Sequence, residues 1–210
     1  MNERVNKPDQ GRRLLLTGGV LAVAGLWYSR RALAHDEHHH HDMAMAAPSE
    51  LKRSEVFYDI PAMKLVRQDG TEVAFPQEVD DGRPVILDFV YTSCTTVCPV
   101  TSMVFSQLQD LLGKHVKMIS ITIDPEFDTP QRLQAYSLKF GAKPQWQHYT
   151  GSRDAILTVE KAFNVYRGDK MNHFAVTFLR AAPKQPWLRV EGFATAEDLA
   201  RDYRRLAGAS

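Results

Sequence analysis

Residues 85–113, VILDFVYTSCTTVCPVTSMVFSQLQDLLG, carry the clearest structural pattern in this chain. Residues 85–92 are mostly β-branched or aromatic and carry a single charge, on Asp88, which predicts a buried strand. Residues 98–112 repeat apolar side chains at helical spacing, and Gly113 is typical of the end of a helix. The predicted centre of the domain is therefore a buried strand that passes directly into a helix, with two cysteines at the junction.

Short apolar runs and helical patterns alternate along the rest of the chain. Asp128, Thr129 and Pro130 predict the start of a helix, with Asp128 or Thr129 as its N-cap and Pro130 in the first turn. Residues 63–75, MKLVRQDGTEVAF, predict an added N-terminal β-hairpin that turns at an Asp-Gly pair. The order of elements is that of an α/β, thioredoxin-like domain, a central mixed sheet with helices on both faces. The remaining predicted strands are residues 116–124, 146–150, 173–180 and 187–193, and the remaining helices are about 152–163 and 196–206.

Composition and charge exclude several classes of protein. The chain has 210 residues, 44% of them hydrophobic and 24% charged, which fits one globular domain and a tail. Two cysteines are too few for a multi-disulfide scaffold, a cysteine-rich zinc module or an iron–sulfur ferredoxin. Without the first 34 residues, 20 basic and 23 acidic residues remain, so the formal charge changes from +1 to −3. We therefore expect no nucleic-acid partner, because phosphate binding requires clustered Lys and Arg.

Residues 1–34 have the pattern of an export signal. Arg12 and Arg13 precede the uncharged residues 14–28, whose helical length of roughly 22 Å is shorter than the ~30 Å hydrocarbon core of a bilayer. An Ala-Leu-Ala sequence then predicts cleavage in front of His35. The paired arginines favour twin-arginine export to the periplasm, with membrane tethering only if the signal is retained. In that compartment two nearby thiols become oxidised unless a thiol reductant or a metal ion protects them.

Residues 35–54 are the predicted linker between the signal and the domain, which we assign to residues 55–210. The first part of the linker has no residue suited to a core, so we expect it to be disordered. Imidazole and thioether groups bind copper in its two oxidation states, so the segment fits an auxiliary metal site. It fits a passive linker or a cloning remnant equally well. The candidate auxiliary ligands are His35, His38, His39, His40, His41, Met43 and Met45.

Cys94 and Cys98 lie where the first core strand passes into its helix. In helical geometry residues i and i+4 are neighbours, so both sulfurs are expected on one face. A helix N-terminus favours the thiolate, which is the form that binds a metal or attacks a disulfide. Dithiol oxidoreductases usually carry C-x-x-C, and the longer C-x-x-x-C spacing is better suited to a metal ion between the sulfurs. The alternative is a small stapling disulfide or two inert buried thiols.

His173 is the candidate third ligand, because thiolates select Cu(I) and an added neutral imidazole can also hold Cu(II). It is predicted to open a strand, and a strand end in this fold can lie beside the first helix's N-terminus. His115 is expected at the opposite end of the sheet, and His148 is expected to be a packed or surface histidine. Asp124 is expected to order His173 or a docking partner, or to be only a turn residue. Asp128 is more simply explained as a helix cap.

Three motifs together resemble the Sco/SenC family of copper-binding, thioredoxin-fold proteins. They are TSCTTVCPVT at residues 92–101, ITIDPEFDTP at 121–130 and NHFAVTFL at 172–179. The resemblance covers roughly residues 56–206 and implies Cys94, Cys98 and His173 as ligands of copper, as Cu(I), Cu(II) or both. It also implies that the chain delivers copper to the binuclear copper centre of cytochrome c oxidase, or reduces the thiols of that centre.

The leading functional hypothesis is a copper metallochaperone. It would dock on a copper-accepting subunit of cytochrome c oxidase, or on another exported cuproprotein, and pass the ion on by ligand exchange. The alternative is a thiol-disulfide oxidoreductase in which Cys94 attacks a partner disulfide and Cys98 resolves the mixed disulfide. Both hypotheses need the dithiol, but only the first needs His173. A thiol peroxidase is disfavoured, because no run rich in Pro and Thr precedes Cys94.

Overall fold

The central strand of the sheet is β4, Val85–Val90, and all of its residues are buried. The computed structural model describes residues 50–208. β4 pairs in parallel with β5, Lys117–Thr122, and antiparallel with β7, Val176–Arg180. These three strands are buried throughout. β4 is accordingly an apolar run interrupted only by Asp88, whereas β5 and β7 also bury polar side chains such as Lys117 and Arg180.

Further strands complete the mixed sheet. β5 pairs in parallel with β6, Trp146–Thr150, and β7 pairs antiparallel with β8, Trp187–Glu191, which in turn pairs with β1, Lys52–Val56. On the other side, β6 pairs antiparallel with β2, Lys64–Arg67, which forms the predicted hairpin with β3, Glu72–Ala74. Within residues 50–208 the sheet has eight strands in the order β1-β8-β7-β4-β5-β6-β2-β3.

Helices cover both faces of this sheet, as predicted. On one face, α1 (Phe75–Val79) and α4 (Arg153–Ala162) contribute to a core with the odd-numbered residues of β4. On the other face, α2 (Val97–Leu112), α3 (Pro130–Lys139) and α5 (Ala196–Leu206) contribute to a second core. Because strand side chains alternate between faces, the sheet separates the two cores. Among residues 50–208, no helix combines the length and apolar character that a membrane crossing requires.

The start of α3 corrects the prediction that Asp128 is a helix cap. Thr129 is the N-cap instead, because its side chain accepts a hydrogen bond from the backbone N–H of Arg132 at 3.3 Å. Pro130 follows in the first turn, as predicted. Asp128 is completely buried and is used elsewhere.

Several strand boundaries also differ from the sequence predictions: β4, β5 and β8 each end two residues earlier than predicted. The strand predicted at residues 173–180 begins only at Val176, because Lys170–Asn172 forms a 3-10 turn in which Asp169 accepts a hydrogen bond from the N–H of Met171 at 2.9 Å. β1 begins at Lys52, inside the predicted linker. Its polar sequence, KRSEV, does not indicate a strand, and β1 forms at the edge of the sheet by pairing with β8. The short helix α1 was not predicted either.

Candidate metal site

The two cysteines lie between the end of β4 and the first turn of α2. The backbone N–H of Cys94 donates to the carbonyl of Tyr91 at 3.1 Å, which turns the chain toward the helix. α2 begins at Val97, so Cys98 is in its first turn and Cys94 precedes it. The N–H of Cys98 points at Cys94 Sγ over 3.4 Å. Both cysteines are free thiols, Cys98 completely buried and Cys94 8% exposed.

The surroundings make the two thiols chemically different. Burial opposes ionisation of Cys94, but hydrogen bonds from the backbone of Cys98 and Thr96 outweigh it and lower the pKa of Cys94 to about 7. Burial raises the pKa of Cys98 above its ordinary value, although a backbone interaction with Tyr91 opposes the shift. Cys94 is therefore substantially ionised near neutral pH, whereas Cys98 keeps its proton.

His173 lies at the same edge of the sheet as the dithiol, immediately before β7 rather than within it. Because β7 runs antiparallel to β4, the residues that precede β7 lie where β4 ends. The imidazole packs edge-on against the ring of Tyr91, with ring centroids 6.1 Å apart. Burial lowers the pKa of His173, and the backbone of Phe89 partly opposes the shift. The imidazole is thus favoured in its neutral form, which is the form that binds a metal.

Tyr91 lies at the centre of this edge, and sequence analysis did not single it out. Its hydroxyl contributes a hydrogen bond that lowers the pKa of Cys94, while its ring packs against His173. The same hydroxyl is 3.9 Å from Met171 Sδ. The only signal in the sequence was the position of Tyr91 directly after a buried strand. Its contact with residues about 80 positions later depends on the antiparallel pairing of β4 and β7.

Asp124 orders the segment that carries His173 rather than the imidazole itself. Its carboxylate forms an ion pair with Lys170 Nζ at 2.5 Å. Its backbone carbonyl accepts the N–H of Asp128 at 2.8 Å, so it is a turn residue as well. Lys170 begins the 3-10 turn in front of His173 and lies 5.7 Å from the centre of the Tyr91 ring. Asp124 is therefore a turn residue whose carboxylate pairs with Lys170, and its role in ordering His173 or a docking partner stays a prediction.

The three predicted ligands share an edge but do not form one compact cluster. Among residues 50–208, no three His, Cys, Asp or Glu side chains lie close enough together to hold a metal ion. The two sulfurs are neighbours, and Tyr91 lies against both Cys94 and His173. A three-ligand site therefore requires the imidazole to move toward the sulfurs. Such a site remains a prediction.

The other candidate ligands are elsewhere. His115 is exposed, and its Nε2 lies 3.3 Å from the hydroxyl of Tyr203 at the opposite edge of the sheet. His148 is completely buried between Trp146 and Tyr136. The predicted export signal lies outside the described residues, as do the auxiliary candidates His35, His38, His39, His40, His41, Met43 and Met45.

The fold and the edge together define a class: a thioredoxin-like domain with a C-x-x-x-C dithiol at the junction of its central strand and the following helix. The family model SCO1/SenC matches residues 60–208, and the chain belongs to this family. The motifs that carried the resemblance in the sequence lie within the matched region.

Similar proteins share this architecture. The SCO1 protein homolog of Bacillus subtilis (strain 168) is 26% identical over 133 residues, which are 61% of this chain and 61% of that protein. The copper-bound structure of ScoI from Bradyrhizobium japonicum is 28% identical, with a TM-score of 0.56 over 68% of this chain and 96% of that one. BsSco, described as a member of the Sco family of cytochrome c oxidase assembly proteins, has the same fold, with 24% identity and a TM-score of 0.61 over 75% of this chain and 98% of that one. The chain spans about half to three fifths of the length of the curated relatives that it matches.

Proposed function

We propose that the chain is a copper metallochaperone that binds copper through Cys94, Cys98 and His173 and delivers it to the binuclear copper centre of cytochrome c oxidase. The observation that carries the proposal is the donor set at one sheet edge: an ionisable thiol, a second thiol beside it and a neutral imidazole across one tyrosine ring. Membership of the SCO1/SenC family supports it. So does the likeness to a ScoI whose structure contains copper.

Copper is the cargo in this proposal, and the donor chemistry suits it. Thiolates are soft ligands that select Cu(I), and an added imidazole allows Cu(II) as well. Cys94 supplies a thiolate near pH 7, whereas Cys98 must lose its proton when the metal binds, because only the thiolate is a ligand. Copper affinity is therefore expected to rise with pH.

The separation of His173 from the sulfurs suits a carrier that must also release its cargo. The imidazole belongs to the segment between a 3-10 turn and β7, which an exposed ion pair between Asp124 and Lys170 ties to the end of β5. A movement of this segment toward Cys94 would close the site, and the reverse movement would free one coordination position for a ligand of the acceptor. Open coordination makes stepwise ligand exchange feasible.

A thiol-disulfide oxidoreductase is the second candidate, and the difference between the two thiols favours it specifically. The Cys94 thiolate would attack a disulfide of an exported partner and release one partner thiolate. Cys98 would then lose its proton and attack Cys94 Sγ, which leaves the partner as a dithiol and the chain with a Cys94–Cys98 disulfide. A thiol reductant must supply two electrons to reset the chain.

One substitution separates the two functions. His173→Ala in the reduced full-length chain is expected to lower Cu(I) and Cu(II) affinity by at least about 10- to 100-fold, the loss seen when even an outer partner of a metal ligand is removed, while leaving reduction of a model disulfide measurable. His115→Ala, at the opposite sheet edge, is the matched control and is expected to change neither. Unchanged copper affinity in His173→Ala, with disulfide reduction retained, would reject the chaperone in favour of the oxidoreductase, which needs only the dithiol.

The proposal extends to export and to the His/Met-rich first part of the linker, residues 35–45, which we call the tail. We infer that the chain works in the periplasm after export through residues 1–34, and that the tail collects copper for the site. Copper titration of the full-length chain is then expected to give a second binding equivalent. Replacing the tail histidines by Gln and Met43 and Met45 by Leu should remove that equivalent and leave the first intact. An unchanged stoichiometry would show that the tail is a passive linker.

A further inference from the structure

The sulfur of Met171 lies at the rim of the candidate metal site and has no role in the proposed function so far. Met171 is in the 3-10 turn two residues before His173, and it is 73% exposed. Its Sδ is 3.9 Å from the Tyr91 hydroxyl, which also interacts with Cys94. The Tyr91 side chain therefore contacts Met171 and His173 and shares a buried cluster with Cys94, which brings a thioether, an imidazole and a thiol to one place.

The chemistry of a thioether gives this sulfur a selective role. It is a soft, neutral ligand that suits Cu(I) and has little affinity for hard ions, and it needs no deprotonation. Met171 has three rotatable side-chain bonds, and its high exposure leaves room for them to turn. From the rim it can turn toward Cys94 past the Tyr91 side chain.

We propose that Met171 is an exchange ligand that holds Cu(I) together with Cys94 while the ion enters or leaves the Cys94–Cys98–His173 site. This inference rests on the proposed copper function and deepens it. The Cu–N bond to His173 breaks and a Cu–S bond to Met171 forms. Copper stays Cu(I), no electron is transferred, and no proton moves, because imidazole and thioether are both neutral ligands. A ligand of the acceptor then displaces Met171, and the thiolates follow.

The oxidation state of copper determines whether Met171 can assist its transfer. A thioether stabilises Cu(I) far better than Cu(II), so Met171 is expected to assist the transfer of Cu(I) only. The resting affinity depends on the two thiolates and the imidazole and is expected to remain nearly the same without Met171. The role therefore concerns the rate of transfer and the identity of the transferred ion.

The first test observes the sulfur directly. The full-length chain, with methyl-13C methionine and an added His173→Ala substitution, is titrated anaerobically with one equivalent of Cu(I). The methyl resonance of Met171, identified by its loss in Met171→Leu, is expected to shift on Cu(I) addition, because the vacant position recruits the thioether. Met103, an exposed methionine on α2, is the internal control and is expected to stay unchanged. An unshifted Met171 resonance with Cu(I) bound to the cysteines overturns the proposal.

The second test measures transfer in the chain with His173 intact. Met171→Leu preserves the shape of the side chain and is expected to slow transfer of Cu(I) to a chelating acceptor by about tenfold at nearly unchanged affinity. Met103→Leu is the matched control, with the wild-type rate. Equal rates for Met171→Leu and Met103→Leu overturn the exchange role and leave the proposed function intact. A chain that binds no Cu(I) at Cys94 and Cys98 overturns both.

Discussion

Asp128 accepts hydrogen bonds from both the backbone N–H and the hydroxyl of Thr92, at 3.0 and 2.5 Å, two residues before Cys94. The same carboxylate accepts the hydroxyl of Thr122, the last residue of β5, at 2.6 Å. One completely buried side chain thus joins the ends of β4 and β5 to the start of α3. The dithiol turn is held from a position more than thirty residues further along the chain.

Removal of this carboxylate should destabilise the domain and loosen the dithiol turn. Asp128→Ala is expected to lower the free energy of unfolding by about 3 kcal/mol, because the buried hydroxyl of Thr122 and two donors of the half-buried Thr92 lose their acceptor. Urea unfolding measures the loss, and alkylation of Cys94 reports the changed turn. Thr129→Ala removes the adjacent helix cap and is expected to cost about 1 kcal/mol without a change in Cys94 reactivity. Equal effects of the two substitutions would contradict a special role for Asp128.

The two thiols are expected to react with iodoacetamide at different rates. Because the pKa of Cys94 is lowered to about 7 and that of Cys98 is raised, Cys94 should be alkylated first, with a rate that rises through about pH 7. Brief alkylation of the reduced chain from about pH 5 to pH 9, followed by peptide mass spectrometry, measures both profiles.

Two variants test the cause of this difference. Cys98→Ser keeps the backbone N–H that points at Cys94 Sγ, so a low Cys94 pKa should persist. Tyr91→Phe removes a hydroxyl that favours the Cys94 thiolate, so the Cys94 profile should move to higher pH. A Cys94 profile that is unchanged in Tyr91→Phe would mean that the backbone N–H groups alone set the pKa.

The sequence predicted the elements whose pattern is local. β4 is recognisable as a nearly continuous apolar run and β5 by its β-branched residues, and α5 matches the predicted residues 196–206 because Thr195 and Asp198 form a capping box. β1 was missed because an edge strand with a polar sequence is specified by its partner β8 rather than by its own pattern.

Site residues were predictable to the same extent. Cys94 and Cys98 are identified by their spacing and by the strand-to-helix junction. The position of His173 at the same edge of the sheet follows from the antiparallel direction of β7. The roles of Tyr91 and Asp128 depend on side-chain contacts across different elements, which a single sequence does not encode locally. The local pattern therefore predicts a helix cap at Asp128, although its carboxylate holds the dithiol turn.

Glu160 is expected to make the domain less stable as the pH rises. It lies on α4 at a cleft near His173 with 8% exposure, and burial raises its pKa to about 7. Between the unfolded value near 4.5 and about pH 7, the unfolded chain has lost a proton that the folded chain keeps, so the free energy of unfolding falls as pH rises.

Glu160→Gln should remove this dependence. Relative to the wild type, the variant is expected to gain about 2 kcal/mol between pH 4 and pH 8 in urea unfolding experiments. The exposed Glu55→Gln on β1 is the control, with a difference from the wild type that is expected to stay constant. Parallel curves for Glu160→Gln and the wild type would show that the Glu160 carboxyl is well solvated. Burial also raises the pKa of Asp88 to about 7, but Asp88 is present in both proteins, so its contribution to the pH dependence cancels.

His148 is expected to destabilise the domain in acid, in the opposite direction to Glu160. Its ring is completely buried, with centroids 4.9 Å from Trp146 and 5.9 Å from Tyr136, and neither ring nitrogen has a hydrogen-bond partner among the described residues. Burial lowers the pKa of His148 to about 3. Below the unfolded value near 6.5, the unfolded chain binds a proton that the folded chain excludes, so the free energy of unfolding falls as pH falls.

His148→Phe keeps an aromatic ring between Trp146 and Tyr136 and removes the titrating group. The free energy of unfolding of the variant minus that of the wild type should be about 2 kcal/mol more favourable to the variant at pH 5 than at pH 8. His148→Gln, which is smaller and does not titrate, is expected to show the same pH-dependent shift even if its packing is poorer. A difference that does not change with pH in either variant would mean that the folded chain protonates His148. The core that α2 and α3 form against Trp146 of β6 would then have to admit water or a counter-charge beside His148.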